Sequence, residues 1–263
     1  MAKATPSANK HKKRVKRGAG RPSLANAESL SRLEIARRAL VLCRRQPLQD
    51  VSIVRIAGEL GVTPALIHYY VGGRARFTSS VMNSFYQQLV TQLPPMSTSW
   101  RADVSRVFDT IYANYIQFSG IVAYVMAHNR FRLFQLIDEG EHDFGAAFFE
   151  RVAASVRLVG LPAFQTAMFA HLLLQHVLSS AHQQASRQLP EDHRVFLVSQ
   201  LKLLSAESTP NAYYLLESFA AVRGDDAFSA GLEIIMDAMG RAVKTQATAR
   251  PRGKQRVTFP RSV

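Results

Sequence analysis

Residues 63–70 combine small side chains with hydroxyl-bearing and aromatic ones, a mixture suited to contacting nucleic acid. Pro64 and Ala65 are small enough to let the start of a helix approach base edges or thymine methyl groups. The following turn carries polar groups that could reach phosphate or sugar. These groups belong to His68, Tyr69 and Tyr70. The spacing therefore indicates a helix that contacts double-stranded DNA.

Catalysis and metal binding have little support in the sequence. It contains no Ser/His/Asp arrangement, no glycine-rich phosphate loop and no pair of carboxylates in a catalytic context. His171 and His176 are five residues apart, whereas two ligands on one helix face are three or four apart. A single cysteine, Cys43, cannot form an intramolecular disulfide or a zinc site built on several cysteines. We expect no enzyme activity, no cofactor and no metal.

A helix that reads DNA needs a second helix to hold it against the duplex. Two short helices are predicted here, the first beginning at Ser52 and the second capped by Thr63, with Pro64 at its first position. The turn Leu60-Gly61-Val62 joins them, which makes a helix-turn-helix. In that geometry the second helix enters the major groove and the first crosses the backbone.

The charge distribution favours a phosphate-bearing partner. The chain has 263 residues with 33 Lys and Arg against 19 Asp and Glu, a net charge of +14. The surplus lies in residues 1–94 and 244–263, whereas residues 95–243 carry more acids than bases. Basic tails beside a small basic unit are typical of nucleic-acid binding. Solvated tails that only aid solubility are the alternative.

The remaining pattern predicts an all-α protein. We expect a basic arm at 1–28, a three-helix helix-turn-helix domain at 29–94, a larger helical domain at 95–245 and a basic tail at 246–263. Pro94-Pro95 marks the domain boundary, and glycines such as Gly120 mark breaks between helices. No apolar run is long enough to span a membrane, and the basic N-terminus lacks the apolar core of a secretory signal. We expect a soluble cytoplasmic protein.

Residues 32–91 resemble the tetracycline-repressor (TetR) family of transcriptional regulators. The matching positions are Ile35, Ala39 and Leu42, the pair Ile56-Ala57, and the run from Gly61 to Arg74 followed by Phe77. The resemblance implies an N-terminal DNA-binding domain and a larger helical domain that dimerises and usually binds a small effector. It also implies that Ser52, Thr63 and Arg74 contact phosphate, that Pro64 and Ala65 face bases, and that Tyr69 and Tyr70 lie near the DNA backbone.

The basic arm contains a segment similar to the Arg-Gly-Arg-Pro hooks that enter the minor groove. Here Lys16-Arg17-Gly18 is separated from Arg21-Pro22 by Ala19-Gly20. Arg17 and Arg21 could therefore read a narrow A·T-rich groove, or they could attract phosphate without sequence preference.

The larger domain is rich in aromatic residues and methionines, some of which we expect to line an effector cavity with a few polar groups. The candidates are Phe108, Tyr112, Tyr115, Met126, Phe149, Met168, His171 and Gln175. Residues 228–239 resemble the last helix of TetR-family proteins, which implies half of a four-helix dimer interface. Its residues would be Phe228, Gly231, Leu232, Ile235 and Met239. An ordinary amphipathic core helix is the alternative.

These observations together predict a homodimeric transcriptional regulator, most simply a repressor that binds a palindromic operator and is released by a small hydrophobic ligand. An activator fits the same pattern. The alternative is an architectural DNA-binding protein that is driven by its basic tails and is indifferent to sequence.

Overall fold

The computed structural model describes residues 30–128 and 135–249, and every regular element in those ranges is a helix. The predicted all-α fold is confirmed. None of the described helices is long and apolar enough to cross a lipid bilayer. Eleven α-helices are described: α1 Arg32–Leu42, α2 Ile53–Leu60, α3 Pro64–Val71, α4 Arg74–Gln92, α5 Trp100–Gln117, α6 Ser119–Ala127, α7 Phe144–Arg157, α8 Ala163–Ala185, α9 Arg194–Leu201, α10 Pro210–Ala220 and α11 Gly224–Ala249.

Local sequence sets the ends of the first helices. Ser31 caps α1 by accepting a hydrogen bond from the Glu34 amide at 3.1 Å. Gly61 ends α2 with a φ of 67°, in the left-handed region that a residue with a Cβ rarely adopts. Short turns of this kind leave α2 and α3 as two brief helices joined at a fixed angle, as the helix-turn-helix prediction requires.

Helix α4 links the two halves of the molecule. Its buried face repeats every four residues, with Phe77, Val81, Phe85 and Leu89 all fully buried. Helix α4 packs on both α1 and α7, and the Tyr86 ring stacks on Phe148 of α7 at 5.2 Å. One continuous cluster of buried residues therefore extends from the helix-turn-helix into the larger unit.

The larger unit is built around α8, which contacts α5, α6, α7 and α11. Its inward stripe consists of Phe169, Leu173, Val177 and Ala181, spaced four residues apart. The Phe228 ring of α11 lies between Tyr112 of α5, 3.9 Å away, and His176 of α8, 5.4 Å away, with all three nearly parallel. Helix α11 continues to Ala249, so residues 246–249, expected in the tail, are helical.

A second link between the halves lies at the start of α6. The Gly120 amide donates to the Cys43 carbonyl at the end of α1, at 2.8 Å, and the Ser119 hydroxyl donates to the Arg44 carbonyl at 3.1 Å. Gly120 was expected to separate two helices, but it lies in the first turn of α6. A Cβ there would stand 1.8 Å from the Gln46 carbonyl oxygen, so the glycine permits the close approach of α6 to α1.

Helices α9 and α10 form a hairpin with the short 3-10 turn Pro190–His193. Many of the large apolar side chains of this hairpin are exposed, in contrast to the inward stripes of α8 and α11. They are Val195, Phe196, Leu203, Tyr213, Tyr214, Leu215 and Phe219.

Candidate nucleic-acid interface

Helix α3 presents a continuous exposed face. Ile67 and Val71 are buried beneath it, whereas Pro64, Ala65 and His68 are exposed, and Tyr69 is 82% exposed. Thr63 caps the helix by accepting a hydrogen bond from the Leu66 amide at 3.3 Å. The structure therefore places the predicted base-facing residues, Pro64 and Ala65, on one surface with His68 and Tyr69, whose polar groups were predicted to reach the backbone.

Tyr70 differs from its neighbours because its side chain is partly buried against the core. Its ring meets that of Tyr69 edge-on at 5.6 Å, and its carbonyl accepts a hydrogen bond from Arg32 Nε at 3.1 Å. That Tyr70 lies near the DNA backbone stays a prediction, and its ring is half-buried whereas that of Tyr69 is exposed. Tyr70 joins the recognition helix to α1.

Ser52 occupies the N-cap position of α2, as predicted, but its side chain makes no capping hydrogen bond. The residue is exposed, and the free amides of the first turn of α2 lie beside it. A hydroxyl next to unpaired amides at a helix N-terminus is an arrangement that binds phosphate well.

Arg74 is exposed at the start of α4, and its contact with phosphate stays a prediction. Its guanidinium donates to three main-chain carbonyls of the segment before α2: Leu48 at 2.7 Å, Gln49 at 2.8 Å and Val51 at 3.0 Å. A guanidinium can satisfy several carbonyls at once because its donors form a planar fork. Arg74 thus fixes the turn that leads into α2.

Exposed arginines on α1 and α2 were missed by the motif-based reasoning. Four lie on or just after α1, and Arg55 on α2 is held by Glu59 at 3.2 Å and by Gln46 at 3.1 Å. The four on or after α1 are Arg37, Arg38, Arg44 and Arg45. The two Arg-Arg pairs are visible in the sequence, and their position beside the buried stripe of α1 would have indicated an exposed basic surface.

The predicted effector residues do not converge on one site. Phe108 and Tyr115 are buried core residues of α5, and the Tyr112 hydroxyl is engaged with Gln184 and lies 3.2 Å from Asp225. The remaining five are exposed: Met126, Phe149, Met168, His171 and Gln175. On α8 this follows from helix geometry, because residues 168, 171 and 175 lie opposite the inward stripe.

The residues predicted at a dimer interface lie largely inside this subunit. Phe228, Leu232 and Met239 are buried in its own core, and Ile235 packs against that core. A Cβ at Gly231 would stand 2.2 Å from the His176 ring, so the close approach is to α8 of the same chain. The alternative of a core helix describes this stripe better. Among the large apolar residues of α11, Ile234 is exposed.

Tyr86 was missed by the sequence reasoning, and it pairs with Tyr115, which was among the predicted effector residues. Tyr86 of α4 and Tyr115 of α5 are fully buried and hydrogen-bond to each other, and burial raises the pKa of both hydroxyls. The sequence reasoning assigned α4 wholly to the DNA-binding domain and so overlooked Tyr86. The apolar spacing from Phe77 to Leu89 was the signal that α4 stays buried along its whole length.

The predicted effector residues line neither of two clefts on the described surface. One, of about 180 Å³, lies between α1, α4 and residues 141–144 and includes Arg32, Asn83 and His142. The other, of about 440 Å³, lies on the α9–α10 hairpin. Arg17 and Arg21 lie outside the described residues, as do the arm and the last part of the tail.

Helices α2 and α3 form a helix-turn-helix on an all-helical body, with one face of α3 exposed. No family model matches the sequence. A curated relative, the HTH-type transcriptional regulator BetI of Brucella suis, is 30% identical over 88 residues. That match covers 34% of this chain and 44% of BetI, so the chain spans less than half of the relative's length.

The fold is similar to solved structures of ActR from Streptomyces coelicolor. The ligand-free ActR structure has a TM-score of 0.69 at 23% identity and covers 82% of this chain and 98% of its own. ActR in complex with actinorhodin has a TM-score of 0.66 at 26% identity, covering 80% and 95%. ActR is described as a TetR family protein in its complex with (S)-DNPA, which has a TM-score of 0.65 at 25% identity. The predicted resemblance is confirmed: the chain has the fold of the tetracycline-repressor family of transcriptional regulators.

Proposed function

We propose that this protein is a homodimeric transcriptional repressor that binds a palindromic operator and is released by a small hydrophobic ligand. The observation that carries the proposal is the exposed face of α3, where Pro64, Ala65, His68 and Tyr69 stand clear of the buried Ile67 and Val71. Small residues at the start of such a helix suit base edges, and the later polar groups suit the backbone.

The surroundings of α3 fit a phosphate backbone. Ser52 and Thr63 each stand at a helix N-terminus, and the exposed arginines on or after α1 add positive charge to the same half of the molecule. In this proposal the first turns of α2 and α3 hold the phosphates that flank the major groove. Arg74 contributes by fixing the turn before α2.

A second copy of the chain fits the outward face of α8. Phe164, Met168 and Leu172 are exposed there at helical spacing, and Ile234 of α11 is exposed as well. An apolar stripe of this length is unfavourable in water. Two-fold pairing is the commonest way to cover such a stripe, and it would place two α3 helices on one duplex. We propose this face in place of the buried stripe of α11.

The effector proposal is supported by the apolar centre of the larger unit. ActR structures have been solved with actinorhodin and with (S)-DNPA bound. Here the hydrogen-bonded pair of Tyr86 and Tyr115 lies among aromatic rings that include Phe148 and Phe85. A hydrophobic ligand that separates α4 from α5 and α7 would find apolar walls and two hydroxyls there.

The first test is selection of bound sequences from a random duplex pool, with the full chain at near-physiological salt. We expect a palindromic consensus whose half-sites lie roughly 10 base pairs apart, or a multiple of that spacing. Ala65→Asn should change the consensus within the half-site. An unchanged consensus would contradict the base-facing role of Ala65.

A chain that lacks residues 1–28 and 250–263 is the matched control. A repressor keeps its sequence preference without these basic segments, although its affinity falls. The opposite result has two parts: the full chain enriches no sequence or only A·T-rich DNA, and the shortened chain loses nearly all binding. That result would refute the repressor and favour an architectural DNA-binding protein.

A further inference from the structure

Residues 135–144 of the larger unit lie directly on the DNA-binding half. The Leu136 amide donates to the Ser79 hydroxyl at 3.1 Å. Asn83 binds the same segment twice, donating to the His142 carbonyl at 3.0 Å and accepting from the Phe144 amide at 2.9 Å. These bonds fix the 135–144 segment along one side of α4.

Asp138 lies at the centre of this contact. Arg32 Nη1 of α1 donates to one carboxylate oxygen, and Arg76 Nη1 of α4 donates to the other at 3.1 Å. Hydrogen bonding from Arg32 lowers the pKa of Asp138, so the carboxylate is charged at neutral pH. The side chains of Arg32 and Asp138 are 27% and 34% exposed, and Glu141 approaches Arg32 to 3.5 Å.

The two arginines lead to the two sides of the turn between α3 and α4. Arg32 also donates through Nε to the carbonyl of Tyr70, in the last turn of α3. Arg76 lies in the first turn of α4, and α4 begins directly after Gly72-Gly73. A single carboxylate of the larger unit is therefore connected, through two side chains, to the end of the recognition helix and to the start of the next helix.

We propose that Asp138 is a positioning residue that sets the orientation of the recognition helix relative to the larger unit. The proposal rests on the proposed DNA-binding function, and it goes further by assigning the link between the two units to one side chain. Partly exposed ion pairs contribute little to global stability. The value of this network is geometric, because the planar guanidinium of Arg32 fixes the Asp138 carboxylate and the Tyr70 carbonyl relative to each other.

Charge and position predict opposite effects for Asp138→Asn. Removing a negative charge beside a basic DNA-binding surface strengthens attraction to phosphate, so an electrostatic role predicts tighter binding. A positioning role predicts weaker binding, because an amide nitrogen would face one of the two guanidinium groups and break that contact. We expect affinity for the selected operator to fall about tenfold, the order of typical coupling between sites.

Glu139→Gln is the matched control. It changes the charge by the same amount on the neighbouring, exposed residue. We expect its affinity to equal or slightly exceed that of the wild type. Arg32→Lys keeps the charge, but its ammonium cannot serve both the Tyr70 carbonyl and Asp138 in the fork geometry. It should therefore weaken binding in the same direction as Asp138→Asn. Equal affinities for Asp138→Asn and Glu139→Gln would overturn the proposal.

Amide hydrogen exchange measured without DNA separates this proposal from the proposed function. With an intact fold, shown by an unchanged melting temperature, Asp138→Asn should speed exchange in residues 68–76 and leave α8 unchanged. Unchanged exchange at 68–76 would overturn the positioning role even if DNA binding is real. If Asp138→Asn speeds exchange at 68–76 but the wild type selects no DNA sequence, the positioning role of Asp138 stands and the repressor function is refuted.

Discussion

Replacing Gly120 by alanine should loosen the joint between the two halves. The Gly120 amide donates to the Cys43 carbonyl at 2.8 Å, and a Cβ would stand 1.8 Å from the Gln46 oxygen and 2.7 Å from the Cys43 oxygen. Both obstacles are main-chain atoms in residues 43–46, just after α1, so no side-chain rotation can relieve them. Helix α6 would have to move by more than about 1 Å to restore ordinary contact distances.

The magnitude follows from three contributions to the free energy of unfolding. Loss of the amide hydrogen bond costs about 1 kcal/mol. Overpacking in a closed core costs about 1–3 kcal/mol. Alanine in place of glycine within a helix stabilises the folded state by roughly 0.5–1 kcal/mol, which offsets part of this loss. The net destabilisation is about 2 kcal/mol, which for a chain of this size lowers the melting temperature by about 4–8 °C.

The assay is thermal unfolding followed by circular dichroism, with Gly58→Ala as the control. Gly58 lies inside α2, and a Cβ there would meet nothing within 4 Å. The control should therefore raise the melting temperature by a few degrees, because it gains helix propensity without a clash. A rise in melting temperature for Gly120→Ala as well would refute the close approach of α6 to α1.

Further predictions concern four other side chains. Arg74→Lys keeps the charge but loses the guanidinium hydrogen bonds to three carbonyls, so the free energy of unfolding in urea should fall by about 1–2 kcal/mol. An unchanged urea midpoint would show that only the charge of Arg74 matters. Tyr112→Phe keeps the stack on Phe228 and should cost about 1 kcal/mol at pH 7. Burial, followed by the charge of Asp225, raises the pKa of Tyr112, so this contribution is complete below about pH 10 and is lost as the pH rises further, a loss that the variant should lack. Burial raises the pKa of Cys43 to about 12, so iodoacetamide should alkylate it at pH 9 in urea but not in the folded protein, and rapid alkylation of the folded chain would contradict its burial. Leu172→Glu should shift the protein from dimer to monomer in sedimentation with little change in secondary structure, whereas a persistent dimer would exclude the outward face of α8 as the interface.

Local signals were enough to predict the helix-turn-helix. Thr63 caps α3, Pro64 occupies its first turn and Gly61 ends α2, and each of these features depends only on a few neighbouring residues. Residue type indicated that Pro64, Ala65, His68 and Tyr69 are exposed on α3, but it did not separate them from the half-buried Tyr70. A short segment with strong caps is therefore predictable from its sequence alone.

Partners distant in sequence were not predictable in this way. No local signal showed that the Arg74 guanidinium donates to three carbonyls about 25 residues away in the sequence. On α8 the histidine and glutamine positions suggested a cavity, whereas the packing of α8 turns His171 and Gln175 outward. Periodicity shows that a helix has two faces, and only the tertiary arrangement decides which neighbour each face meets.

The continuous core has a consequence for exchanging parts between related proteins. A natural place to join the N-terminal half of this chain to a different larger unit is the pair Pro94-Pro95, where the composition changes. The stack of Tyr86 on Phe148 crosses that junction, and so does the joint between Cys43 and Gly120. A hybrid joined at the prolines would keep only one side of each of these two contacts. A working hybrid must therefore carry the contacting faces of α6 and α7 together with the N-terminal half.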